Sequence, residues 1–111
     1  MASIINLHHQ MVKARRFTAK TATATLVKNE VRYGFVSATS GSSVALTMPD
    51  VDGTMKGYDC LIAAGGAGAV TVVDSDGFGG GADTFTLAQG DMVHMFCDGV
   101  YWYGTNVTTS A

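Results

Sequence analysis

From Thr21 onward, apolar and polar residues alternate with a period of two, the pattern of half-buried strands. Thr21, Thr23 and Thr25 alternate with Ala22, Ala24 and Leu26, and Val31, Tyr33 and Phe35 alternate with Arg32, Gly34 and Val36. Lys28-Asn29-Glu30 between them is polar and turn-like. Ser40-Gly41-Ser42 interrupts the pattern, Val44, Leu46 and Met48 resume it, and Pro49 stops it. Beyond a loop over 50–57, the segments Tyr58 to Ala64, Val70 to Val73 and Thr84 to Leu87 read as further strands. Gly65-Gly66 and a Gly-rich loop from Asp74 to Asp83 separate them.

The strongest local signal lies in Asp91 to Gly104, DMVHMFCDGVYWYG. Asp98-Gly99 between two β-favouring runs predicts a hairpin with a two-residue type I′ turn. That turn sets Cys97 opposite Val100, Phe96 opposite Tyr101, Met95 opposite Trp102 and His94 opposite Tyr103. One face then carries Val93, Met95, Cys97, Val100 and Trp102, a core face with Trp102 beside Met95. The other carries Met92, His94, Phe96, Tyr101 and Tyr103. A solvated sheet face would be polar, and this one is apolar and aromatic, so another chain or a second sheet should cover it, and a subunit interface is expected. About eight short strands with regular turn signals predict an all-β fold, a small antiparallel β-sandwich or barrel.

Residues 1–20 differ in kind from the β domain expected over 21–111. Ile4, Leu7 and Met11 recur at helical spacing beside Ile5, His8 and Val12, which suits an extended or short-helical arm. Charge divides at the same place. Up to Arg32 there are six bases (Lys13, Arg15, Arg16, Lys20, Lys28, Arg32) against Glu30, a formal +5. From Tyr33 onward Lys56 stands against eight aspartates, a formal −7. A basic arm on an acidic head predicts docking on an acidic partner, through Ile4, Ile5, Leu7, Met11, Val12, Lys13, Arg15 and Arg16. With no aromatic interleaved beyond Phe17, the arm is a poor match to a nucleic-acid-binding segment.

Little in the chain invites chemistry. Asp74-Ser75-Asp76-Gly77 begins like a calcium loop, but the fifth and twelfth positions are Phe78 and Phe85, which supply no ligand. The glycine runs lack the residues that follow a phosphate-binding loop. His8 and His9 are adjacent and cannot share a helix face, and His94 lies in a strand with no acidic partner expected at short range. Cys60 and Cys97 lack metal spacing and read as buried thiols, with a single bridge the alternative. No cofactor, metal, membrane span or catalytic set is expected.

Three segments together resemble a recurrent β domain of bacteriophage virion proteins: 21–51, 56–75 and 83–104. The resemblance rests on the Leu46-Thr47-Met48-Pro49 strand end and on Gly57 leading into an apolar strand to Ala64. It rests also on the close formed by Thr86-Leu87, Gly90, Val93, Asp98-Gly99 and Trp102. Such domains occur in head decoration (cement) proteins, head fibres and tail-fibre segments. The resemblance implies a small, commonly trimeric all-β module without catalytic residues. The expectation is a homotrimeric decoration protein on the outer surface of the virion head, bound to the major capsid protein. A fibre or spike head domain is the structural alternative. A lectin-like module holding host glycans through Tyr101, Tyr103 and loop aspartates is the alternative of another class.

Overall fold

The computed structural model describes residues 16–107. It contains β1 (Arg16–Lys20), β2 (Ala24–Thr25), β3 (Gly34–Ala38), β4 (Val44–Thr47) and β5 (Asp59–Ala64). These are followed by β6 (Val70–Val73), β7 (Thr84–Leu87), β8 (Met92–Cys97) and β9 (Trp102–Val107), with one helical turn, α1 (Lys28–Val31), before β3. Five strands form one sheet in the order β1-β3-β5-β8-β9, and four form the other in the order β2-β4-β6-β7.

The chain crosses from one sheet to the other after each of its first five strands. A strand reached by leaving a sheet and returning runs in the direction of its predecessor, so β1, β3 and β5 pair in parallel, as do β2, β4 and β6. The winding then stops. β7 turns back on β6, and β8 and β9 add to β5 as antiparallel strands. The expected antiparallel sandwich or barrel is corrected here: the protein is mostly β, but both sheets are mixed and neither closes into a barrel. Alternation has the same period in parallel and antiparallel strands, so it could not distinguish the two.

Successive turns of the winding stack closely where the chain passes between sheets. A Cβ on Gly68 would lie 2.0 Å from the Ser42 carbonyl oxygen, and one on Gly66 2.3 Å from that of Ser40. Glycine at these corners lets Gly66 N–H donate to Ala38 O and Gly68 N–H to Ser40 O. Inward residues of both sheets share one core, including Val36, Ile62, Val93, Met95 and Trp102 from one and Leu46, Val70, Val72 and Leu87 from the other. Trp102 is wholly buried, and its Nε1–H donates to the Pro49 carbonyl at 3.4 Å.

Two of the boundaries that differ from the sequence pattern lie at the β1 edge. The sheet begins at Arg16, so residues 16–20 belong to the β domain and not to an arm; residues 1–15 lie outside the described residues. The strand expected from Val31 begins instead at Gly34, because Lys28–Val31 close a helical turn. Glu30 N–H donates to Val27 O, and Val27 N–H donates to Glu30 Oε1 at 2.9 Å. Val31 is fully buried from that turn. Gly34 is needed beside it, since a Cβ there would lie 2.0 Å from Glu30 O.

The turn also finishes the exposed edge of the larger sheet. Arg16 and Lys20 pair with the inward residues Gly34 and Ala38, so β1 directs two cations toward the interior side. Lys20 Nζ meets Glu30 Oε2 at 2.8 Å, and Arg16 Nη1 donates to Asn29 O at 2.8 Å. Inward charges on an edge strand oppose addition of a further strand. Burial acts to raise the Glu30 pKa, but the hydrogen bonds from Lys20 and Val27 and the Lys20 charge outweigh it and hold the carboxyl below its ordinary value. Glu30→Gln is expected to cost about 1–2 kcal/mol at neutral pH, for the charge-assisted bond lost. A carboxyl with a lowered folded pKa stabilises above its unfolded pKa and loses that contribution as pH falls through the folded one. The difference between wild type and Glu30→Gln in urea unfolding should therefore be constant near pH 7, begin to shrink as pH falls to the ordinary Glu value of about 4.3, and vanish only below the lowered folded pKa.

Candidate interaction face

The β8–β9 hairpin forms, but its loop has four residues. Cys97 pairs with Trp102, Phe96 with Tyr103 and Met95 with Gly104, which corrects the expected pairings of Cys97 with Val100 and Phe96 with Tyr101. The cause is the Asp98 side chain. Its Oδ1 accepts from Val100 N–H and Tyr101 N–H, both at 2.8 Å, so the carboxylate draws the following backbone into an Asx turn. A type I′ turn needs positive φ at both central residues, and here Gly99 has it (φ 91) while Asp98 does not. These backbone bonds, to Tyr101 first and then Val100, with the Tyr103 hydroxyl, hold the Asp98 carboxyl below its usual range. Val100, expected in the core, is 62% exposed in the turn.

Alternation places one face of the larger sheet away from the core. Residues paired in register share that face and form rows across the strands. The central row runs Phe17–Phe35–Leu61–His94–Thr105 over all five strands. Beside it run Asp59–Phe96–Tyr103 and Ala19–Ser37–Ala63–Met92. Five strands at about 4.8 Å spacing make this face about 19 Å wide. Phe17 is 64% exposed, and Phe96 and Tyr103 are each 44% exposed.

Asp59 is the one charged residue in these rows, and it has a partner. His94 Nε2 lies 2.9 Å from Asp59 Oδ2, and the His94 ring stacks on Phe96 with centroids 4.2 Å apart. The expectation that His94 has no acid within reach is corrected: Asp59 is 35 positions away in sequence and on the neighbouring strand. The Tyr103 hydroxyl donates to Asp98 Oδ2 at 2.9 Å, and Phe17 and Phe35 pack with centroids 6.0 Å apart. The polar groups at the centre of the face thus satisfy one another, which lowers the cost of taking them out of water.

Of the residues expected on this face, Met92, His94, Phe96 and Tyr103 are on it. Tyr101 is not: it sits half-buried in the turn, and a Cβ on Gly80 would lie 3.4 Å from its ring. Phe17, Phe35, Leu61 and Asp59 complete the face and were missed. Phe17 reads as part of the arm, and the others come from strands that only the winding places beside β8. Of the docking residues, Ile4, Ile5, Leu7, Met11, Val12, Lys13 and Arg15 lie outside the described residues, while Arg16 opens β1.

The Asp74 loop holds a buried carboxyl. Asp76 N–H donates to Asp74 Oδ1 at 3.2 Å, while Asp74 Oδ2 is buried without a partner. Burial, reinforced by the charges of Asp76, Asp50 and Asp83 against the Asp76 hydrogen bond, raises its pKa above the ordinary value. Among the described residues no group of three or more His, Cys, Asp or Glu is placed to hold a metal. Cys60 and Cys97 are both buried as thiols, and burial pushes the Cys97 thiol up. Comparison with known proteins finds no family model, no curated protein and no solved structure that matches this chain.

Proposed function

We propose that the chain is a bacteriophage virion structural protein: a decoration, or cement, protein that sits as a homotrimer on the outer surface of the head and clamps neighbouring capsomers. In this reading the two sheets form a β-sandwich, and the outer face of the larger sheet is buried between subunits. The observation that carries it is that face: apolar and aromatic, spread over all five strands, its one acid paired with His94. The sequence resemblance over Thr21 to Gly104 supplies the virion context. A shell under internal pressure gains from binding energy added across its seams, and a three-fold site suits a trimer. Residues 1–15, with Lys13 and Arg15 among apolar neighbours, are the contact with an acidic major capsid protein. Three such arms per trimer raise the effective concentration of each contact once one has docked.

Deleting residues 1–15 should leave a folded trimer that no longer co-sediments with undecorated heads. The cut must stop there, because β1 follows immediately. Lys13→Ala with Arg15→Ala should weaken attachment and lessen its salt dependence, since salt screens exposed charges most. Full binding by the truncated protein would remove the arm from the mechanism. One observation favours a second reading, a glycan-binding or fibre-head module: Tyr103 is 44% exposed and hydrogen-bonded to Asp98, an aromatic and acid pair of the kind that holds sugars. A trimer with Tyr103 accessible and no affinity for heads would favour it.

A further inference from the structure

The outer face of the larger sheet is not uniform from edge to edge, and its polarity suggests how two copies meet. At the β1 edge stand Phe17 and Phe35, next to a first turn of the winding (16–32) that holds Arg16, Lys20, Lys28 and Arg32 against Glu30, a formal +3. On β8 and β9 at the other end stand His94, Phe96 and Tyr103, next to closing elements that hold Asp74, Asp76, Asp83, Asp91 and Asp98; Lys56, packed against Gly99 in the hairpin turn, is the one base among them, and the sum is a formal −4. The charge split seen along the sequence is therefore a split across the sheet, because the winding and then the closing hairpin advance from one edge to the other.

We infer that copies of this chain associate head to tail, the Phe17–Phe35 edge of one subunit packing on the His94–Phe96–Tyr103 end of the next. This rests on the oligomeric reading above and adds its geometry. A two-fold contact matching like edges would set the basic ends together and the acidic ends together, whereas a head-to-tail contact sets basic against acidic. Addition of β1 to a neighbour's sheet is opposed by its inward Arg16 and Lys20, so the faces meet and not the strand edges. The pairing is also aromatic on both sides: Phe17 is 64% exposed at one end, and Phe96 and Tyr103 are 44% exposed at the other. Head-to-tail contacts form a ring when the rotation closes, and three copies give a ring with this face toward the axis.

The experiment mixes two variants, each lacking one end. Phe17→Asp removes the head and Phe96→Asp the tail; both sites are exposed in the single chain, and circular dichroism would verify the fold of each. Each variant alone should be monomeric. Mixed in equal amounts they should form a one-to-one dimer, since the variant with Phe17 intact meets the variant with Phe96 intact. Charge provides an independent arm: Arg16→Glu and Asp83→Lys should each weaken the oligomer at low salt, and the two in one chain should restore it. A trimeric wild type whose Phe17→Asp variant stays trimeric, or a mixture that stays monomeric, would overturn the head-to-tail geometry while leaving the trimer itself in place. A monomeric wild type would overturn both.

Discussion

Phe96→Asp should convert the assembly to single chains of 11.5 kDa while leaving each chain folded. Phe96 is 44% exposed in the isolated subunit, so the substitution changes little of the core. In the assembly it would place a second carboxylate directly across the strand pair from Asp59, whose Oδ2 already has His94 Nε2 as its partner. Burying an uncompensated carboxylate costs about 3 kcal/mol or more, which weakens association at least about a hundredfold. Phe96→Ala removes area without adding charge and should weaken the assembly by a smaller factor. Light scattering across a dilution series reads both, and an unchanged mass for Phe96→Asp would remove this face from the interface.

Trp102→Ala should produce the largest loss of stability in the subunit, about 3–5 kcal/mol, as truncations of buried Trp do. The side chain is wholly buried in the core cluster to which both sheets contribute, and its Nε1–H donates to the Pro49 carbonyl. Removal would leave a cavity and an unpartnered carbonyl at the end of the Leu46 strand. Small domains are stable by only about 5–15 kcal/mol, so the urea midpoint should fall by a large fraction of its value. A change under about 1 kcal/mol would mean that Trp102 does not organise the core.

Trp102 was legible as a core residue even though the hairpin register was not. The Asx turn at Asp98 lengthens the loop by two residues, and an even shift keeps every strand side chain on its face. Met92, His94, Phe96 and Tyr103 therefore kept the face that alternation gave them, and only Val100 and Tyr101, absorbed into the turn, left theirs. The parallel winding was not legible, because corners such as 39–43 and 65–69 resemble hairpin turns in composition. Their use shows only in the backbone contacts that Gly66 and Gly68 permit. β1 escaped notice because an edge strand with Arg16 and Lys20 on its inner side carries no apolar stripe. Asp59 and His94 become partners only through the pairing of β5 with β8, which local pattern does not encode.

The central claim is that the aromatic outer face of the larger sheet is buried between copies of the chain, and its most direct test is the mass of the unmodified protein in solution. Native mass spectrometry at micromolar concentration should give a species of three chains, each of 11.5 kDa. A single-chain mass at that concentration, with the face left open to water, would contradict it.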